Sequence, residues 1–211
     1  MVDKKKLKEA IAKALEDKEK RKFLQSVELI INTRAINFSK SENRLNVDVL
    51  LPKGKGGKEL KVAVIAEEEI GAQAKKAGAD LMILPADIPS YAEKEKLRDL
   101  ADNYTLLAQP NLMGQVAKSL GQYLGPRGKL PKPITGNPAG MVERAKKTVR
   151  IVTKGKYLPV LQVFVGTEKM SEEDLVDNME AVFDTIRSKV PDSNIKSIYV
   201  KLTMGKPIKA M

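Results

Sequence analysis

One stretch of the sequence combines glycines, prolines and cations and lacks acidic residues. No Asp or Glu occurs between Asn103 and Val142, and this stretch contains Gly125-Pro126-Arg127-Gly128-Lys129. Exposed backbone N–H groups and cations together bind phosphate oxygens. The Walker spacing is absent, because Leu130 follows Lys129 where that motif has Ser or Thr. Two interpretations stay open: Arg127 and Lys129 contact a phosphate backbone, or the loop only ends a helix.

A second group of chemically useful residues follows the last alternating segment. The segment from Ile198 to Leu202 alternates apolar and polar residues, which is typical of a strand, and Thr203-Met204-Gly205 comes directly after it. A hydroxyl, a thioether and a glycine that permits close approach suit a ribose and a base, and the flanking Lys201 and Lys206 suit phosphate. The alternative is an ordinary strand end with solvated lysines.

A third group lies near the N-terminus. Lys22-Phe23 precedes an alternating segment that contains Ser26 and Glu28. An exposed Phe23 would offer a ring for base stacking beside a cation, whereas a buried one would belong to the core. The sequence leaves both interpretations open.

The composition excludes much of the usual enzyme chemistry. His, Cys and Trp are absent, so there is no Ser-His or Cys-His nucleophile, no imidazole or thiolate metal site and no disulfide. Glu67-Glu68-Glu69 fits the first turn of a helix better than a metal site, and no Gly-x-Gly-x-x-Gly follows a strand. We expect no cofactor and no metal.

Charge and hydropathy indicate the class of partner. The 211 residues include 38 Lys and Arg against 27 Asp and Glu, which gives a net charge of +11 and a pI of about 9.6. No apolar run approaches the ~18 residues of a membrane span, and the N-terminus lacks the apolar block of a signal peptide. These features predict a soluble, intracellular, basic protein that does not associate with membranes.

The two ends of the chain differ in pattern from its middle. Alternating segments and capped helices occupy residues 1–57 and 150–211, whereas 58–149 contains short apolar runs separated by helical segments at about 67–77, 91–102, 111–120 and 138–149. This pattern predicts an α/β fold: an antiparallel sheet with two helices formed by both ends, and an inserted doubly wound domain. Glycine-rich residues 52–59, and residues 150–156, are the predicted hinges.

Several of these motifs together resemble the large-subunit ribosomal protein L-one family, and its archaeal branch in particular. The motifs are the segment from Gly121 to Pro131, Pro110-Asn111-Leu112-Met113, Lys22-Phe23 with Ser26-Val27-Glu28, Thr203-Met204-Gly205-Lys206-Pro207 and Thr167-Glu168-Lys169-Met170. The resemblance runs over essentially the whole chain. It implies a split β-α-β domain made by residues 1–57 and 150–211, and an inserted Rossmann-like domain at 58–149.

The resemblance also implies a function. Such a protein is a non-enzymatic constituent of the large ribosomal subunit in the cytoplasm, monomeric when free. It binds large-subunit rRNA at the mobile stalk, helps deacylated tRNA leave the exit site and represses translation by binding its own mRNA. The implied RNA contacts are Lys22, Phe23, Ser26, Glu28, Gly166, Thr203, Met204 and Gly205, with Arg127 and Lys129 as candidates for RNA or tRNA contact. Leu24-Gln25 departs from the acidic residues typical of bacterial members.

Two other functions are weighed against this one. An enzyme for a phosphorylated small molecule would use the inserted domain and the Arg127/Lys129 loop, but it needs a base, and no paired arrangement is visible. A DNA-binding protein would bind duplex DNA as well as structured RNA, but no helix-turn-helix or zinc-finger signature occurs.

Overall fold

The computed structural model describes residues 3–58, 61–153 and 158–211. It divides into two compact units: residues 1–58 with 147–211 form the first, and residues 59–146 form the second. The first contains an antiparallel sheet built from both ends of the chain, and the second a parallel sheet with helices. The predicted α/β class is therefore confirmed.

A four-stranded antiparallel sheet forms the centre of the first unit. Its order is β10-β9-β1-β8, with β1 at Ser26–Thr33, β8 at Val160–Thr167, β9 at Ile195–Leu202 and β10 at Ile208–Lys209. Alternate residues of β1 are buried, as the sequence pattern predicts for a strand with one face on the core. Strand β1 pairs with both β8 and β9, so it lies in the middle although it comes first in the chain.

Two helices cover the apolar face of this sheet. Helix α1, Lys4–Leu15, is capped by Asp3, whose carboxylate accepts from the Lys5 N–H; α6, Glu172–Ile186, is capped by Ser171, whose hydroxyl accepts from the Asp174 N–H. Their apolar stripes join the core side of the strands in one cluster. The sequence predicts both caps and both stripes.

A separate two-stranded sheet corrects one expectation. Among the described strands, β2, Asn46–Leu50, pairs with β7, Thr148–Val152, and not with the main sheet of this unit, which its alternation suggests. The helix predicted at 138–149 ends at Lys147, because the chain from Thr148 onward pairs with β2. Of the predicted second hinge at 150–156, residues 154–156 lie outside the described residues.

The second unit contains a four-stranded parallel sheet with helices on both faces. Its order is β4-β3-β5-β6, formed by Leu81–Ile83, Lys61–Ile65, Tyr104–Ala108 and Lys132–Pro133. The helices are α2, Glu68–Lys76, α3, Lys94–Asn103, α4, Met113–Leu124, and α5, Pro138–Lys147, with a 3₁₀ helix at Pro85–Ala92.

Burial explains why the strands of this second unit have no alternating pattern. Ala63 and Ile65 of β3 pack in one apolar cluster, whereas Val62 and Val64 pack in the cluster on the opposite face. A parallel strand covered on both faces needs apolar residues at every position. The short apolar runs of the sequence therefore predict this sheet.

Candidate nucleic-acid interface

Strand pairing brings most of the predicted contact residues to one end of the antiparallel sheet. Ser26 lies opposite Thr167, and Val27 opposite Gly166 on one side and Leu202 on the other. The first residues of β1, the last of β8 and the turn that follows β9 therefore meet. We call this region, formed by Ser26, Glu28, Gly166 and Thr203–Gly205, the sheet-end surface.

Thr203 and Ser26 are held together by backbone and side-chain hydrogen bonds. The Thr203 N–H donates to the Ser26 carbonyl at 3.0 Å. The Thr203 hydroxyl oxygen accepts from the Ser26 N–H, also at 3.0 Å. The Thr203 side chain thus has a structural task that its sequence context does not reveal, and it fixes where the following Met204 lies.

Glu28 and Lys201 form an ion pair across neighbouring strands. The Lys201 Nζ lies 3.7 Å from Glu28 Oε2, and the two side chains are 24% and 33% exposed. Phe164 lies opposite Glu28 on the other side and is half-buried. The pair leaves carboxylate lone pairs open to solvent, where they can accept from ribose hydroxyls or base amino groups.

Two large apolar side chains remain in solvent beside these polar groups. Phe23 is 48% exposed and Met204 is 60% exposed. This excludes the core interpretation of Phe23. Lys22 is exposed as well. The exposed ring, which follows a cation in the sequence, and the exposed thioether in the turn after β9 each offer apolar area to a base.

Gly166 has a packing role that sequence inspection missed. A Cβ at this position would lie 2.5 Å from Met170 Sδ and 2.7 Å from Leu175 Cδ2. Leu175 is fully buried under the sheet. The absence of a side chain at residue 166 therefore lets β8 pack tightly against α6.

Lys58 belongs to this surface, although the motifs do not single it out. Its amino group donates to the Ser26 hydroxyl at 2.8 Å, and its side chain is exposed. The sequence signal is weak, because Lys58 lies in a Gly/Lys segment interpreted as a free hinge. The structure differs: Asn178 binds Lys53 and Gly54, and the Thr167 hydroxyl donates to the Gly56 carbonyl at 2.7 Å.

A buried carboxylate lies beneath the sheet-end surface. Glu168 is 7% exposed and accepts from the backbone N–H groups of Gln25 and Glu19 and from the Gln25 side-chain amide. Burial opposes ionisation, but those hydrogen bonds and the charge of Lys58 outweigh it and lower the pKa of Glu168 below its ordinary value.

The free energy of unfolding of the wild type should fall, relative to a Glu168→Gln variant, as the pH drops below 4.5, the ordinary pKa of a glutamate. Because the folded-state pKa is depressed, ionised Glu168 stabilises the fold above the unfolded pKa, and this contribution is lost as the pH falls through the folded pKa. Urea unfolding at pH values from about 3 to 7 measures the difference. Parallel curves for the two proteins would contradict the expectation.

Arg127 and Lys129 belong to the second unit, not to the sheet-end surface. The Arg127 guanidinium lies 3.6 Å from the centre of the Tyr123 ring, and Gly128 has a φ of +64° that favours glycine. The Lys129 N–H donates to the Leu124 carbonyl at 2.9 Å, so the loop closes the end of α4. This supports the structural interpretation of the loop, while the Arg127 side chain remains exposed.

Comparison with known proteins identifies the family. Residues 8–206 match the family model described as the ribosomal protein L1p/L10e family. The chain belongs to the ribosomal protein L1p/L10e family. This membership confirms the resemblance seen in the motifs and the prediction of a non-enzymatic ribosomal protein.

Relatives named large ribosomal subunit protein uL1 match over nearly their full length. The protein of Thermofilum pendens is 44% identical, with 96% of this chain and 92% of the relative covered. That of Methanothermobacter thermautotrophicus is 40% identical, covering 96% and 97%, and that of Methanocaldococcus jannaschii is 41% identical, covering 99% and 96%. These relatives are archaeal, in agreement with the predicted branch of the L1p/L10e family.

Two further observations concern the described part of this L1p/L10e chain. Within residues 3–58, 61–153 and 158–211, no helix is long and apolar enough to cross a membrane. Over the same ranges, no three or more Asp or Glu side chains are grouped so that they could hold a metal ion.

Proposed function

We propose that this protein is a constituent of the large ribosomal subunit and that its first unit binds large-subunit rRNA at the mobile stalk. Relatives that carry the name of a large-subunit protein support the assembly. The single observation that supports the site is the meeting of the predicted contact residues at one end of the antiparallel sheet. In this proposal the RNA-binding unit consists of residues 1–57 and 150–211. The inserted domain consists of residues 58–149.

The chemistry of the surface suits folded RNA. The carbonyl groups of Thr203–Gly205 and the carboxylate of Glu28 can accept hydrogen bonds from base amino groups and from 2′-hydroxyls, and the 2′-hydroxyls distinguish RNA from DNA. Phe23 and Met204 supply exposed apolar area for unstacked bases. Gly166 contributes backbone at the end of β8.

Cations supply the attraction to the phosphate backbone. The net charge of +11 accelerates encounter with RNA of any sequence, and Lys22, Lys58 and Lys206 lie in or beside the motifs that form the surface. Because contacts to phosphate carry no sequence information, discrimination falls to the polar and apolar groups of the sheet end.

Three finer roles belong to the same proposal. The protein assists release of deacylated tRNA at the exit site, where Arg127 and Lys129 of the second unit are the candidate contacts. It also binds a similar element in its own mRNA and represses translation. Outside the ribosome it is a cytoplasmic monomer. The exposed Arg127 side chain supports the first role.

A Thr203→Ala/Met204→Ala variant should bind a large-subunit rRNA stalk fragment about 1–3 kcal/mol more weakly than the wild type. The variant loses the Ser26 hydrogen bond that fixes the turn, and the exposed thioether. A salt titration with an equal-length perfect RNA duplex as competitor measures the loss and separates it from general charge attraction.

The matched control is Thr135→Ala/Met211→Ala, which removes the same two residue types from exposed positions outside the sheet-end surface. This control should bind like the wild type. If the wild type bound both RNAs equally, with a steep salt dependence unchanged by the substitutions, then the charge alone would bind RNA and the proposed site would be wrong.

A further inference from the structure

Two buried polar side chains, Gln25 and Glu168, join the chain segments that carry the candidate RNA contacts. The Gln25 amide oxygen accepts from the Met204 N–H at 3.3 Å, and its amide nitrogen donates to the Asp17 carbonyl at 3.3 Å and to Glu168 at 3.0 Å. Gln25 is 1% exposed. Its side-chain oxygen and both N–H groups are thus used within the protein, which fixes the orientation of the amide.

Glu168, the residue after β8, completes the arrangement. Its carboxylate accepts from the Gln25 N–H at 2.9 Å and from the Glu19 N–H at 3.2 Å. Glu19 has a φ of +59°, which a residue with a side chain rarely adopts. A strained residue needs its surroundings to hold it, and the buried carboxylate does so here.

The segments held in this way are those that present the surface. The loop at 16–22 leads to Lys22 and Phe23, and Met204 is the exposed side chain of the turn after β9. The hydrogen bonds of Glu168 hold these segments within the folded protein. Fixing loops before binding also reduces the entropy lost on association.

We infer that Glu168 and Gln25 are positioning residues, which order the loop at 16–22 and the turn at 203–205 for RNA before RNA arrives. The inference rests on the proposed function, since it assigns these residues a part in RNA binding. Neither side chain touches RNA, because both are buried. They act through the backbone of Glu19 and Met204.

Glu168→Gln tests the inference, because charge attraction and loss of positioning predict opposite changes in binding to the stalk fragment. The substitution removes a negative charge near the surface, so charge attraction alone predicts tighter binding to any RNA. Loss of positioning predicts binding to the stalk fragment that is weaker by about tenfold, with binding to the duplex unchanged or tighter. Glu95→Gln, an exposed position in the other unit, makes the same charge change and should leave stalk binding unchanged.

Hydrogen exchange of single amides provides the readout that a general loss of stability would not give. In the RNA-free wild type the Glu19, Gln25 and Met204 amides should be protected. In Glu168→Gln they should exchange about tenfold faster, while the paired core amides of Leu29 and Val200 stay as they were.

Stalk binding and amide exchange together test whether Glu168 and Gln25 position the loop and the turn. Weaker stalk binding with faster exchange confined to the three amides supports positioning. Unchanged or tighter stalk binding despite that faster exchange overturns it. Unprotected Glu19, Gln25 and Met204 amides in the free wild type also overturn it, and this measurement needs no variant to fold. Equal binding of wild type to stalk and duplex would instead refute the proposed function, while the exchange data would still report whether the loops are ordered.

Discussion

Gly166→Ala should lower the free energy of unfolding by about 2–3 kcal/mol. The added methyl group would meet Met170 Sδ at 2.5 Å and Leu175 Cδ2 at 2.7 Å. Met170 is partly buried and has flexible torsions, so its sulfur can move aside. Leu175 is fully buried in the α6 stripe and has no room to move, so β8 must shift away from the helix. Urea unfolding measures the loss.

Gly114→Ala is the matched control, because nothing lies within 4 Å of a Cβ at that position in helix α4. It should be neutral or stabilise by up to about 1 kcal/mol, since alanine favours a helix more than glycine does. Adding Met170→Ala to Gly166→Ala should recover only part of the stability, because the contact with Leu175 remains and residue 166 has a φ of +157°, which residues with side chains rarely adopt. Full stability of Gly166→Ala would show that β8 is not closely packed there.

A loss of RNA binding in Gly166→Ala would not by itself identify a contact at residue 166. Gly166 is a predicted RNA contact. Met170 and Leu175, however, occupy the space that a Cβ at residue 166 would need. A weaker complex with Gly166→Ala is therefore explained by a shifted strand before any contact is invoked. Both quantities must be measured on the same variant. RNA binding is measured without denaturant, where the variant is folded, and the free energy of unfolding is measured with urea.

The sequence predicts the elements whose pattern is local. Strand β9 contains the alternating segment at 198–202, and the Ser171 cap and apolar stripe of α6 are evident from the order of their residues alone. The parallel sheet is predictable for the same reason, because a strand buried on both faces must be apolar throughout. In each case neighbouring residues alone contain the signal.

The features that could not be predicted depend on pairing between distant parts of the chain. The predicted helix at 138–149 includes Thr148 and Val149, and pairing with β2, about a hundred residues earlier, places these two residues in strand β7 instead. Likewise, Gln25 and Glu168 are ordinary polar residues in the sequence, and they become a buried pair only because β1 and β8 are neighbours. Lys58 joins the candidate site through a single hydrogen bond to Ser26.

One buried polar residue did leave a signal in the sequence. Asn178 lies three residues after Leu175 and one before Met179, so it falls on the apolar stripe of α6. A polar residue on a core face needs hydrogen-bond partners, and the structure supplies three. Its side-chain oxygen accepts from the Lys53 N–H at 3.0 Å, and its nitrogen donates to the carbonyls of Gly54 at 3.0 Å and Val165 at 2.8 Å.

Asn178→Leu should lower the free energy of unfolding by about 3–4 kcal/mol, although leucine has a similar volume and suits the surrounding core. The substitution leaves one N–H and two carbonyl groups without their partner in a region where Asn178 is 0% exposed. Each buried polar group left unpaired costs about 1–3 kcal/mol, and solvent can reach part of the Lys53 segment. Asn103→Leu is the control: the exposed Asn103 side chain donates to the Asp99 carboxylate, and its loss should change stability by less than about 0.5 kcal/mol.

Asn178→Leu also tests whether Asn178 anchors the segment at 53–58. Asn178 fixes Lys53 and Gly54, and Lys58 further along that segment reaches Ser26 on the sheet-end surface. Releasing the anchor should speed proteolysis within residues 53–58 and weaken the Lys58 contact with Ser26. Binding to the stalk fragment should then fall modestly at a temperature where the variant is folded. A stable Asn178→Leu protein with a protected segment would mean that Thr167 and Ser26 hold the segment without Asn178.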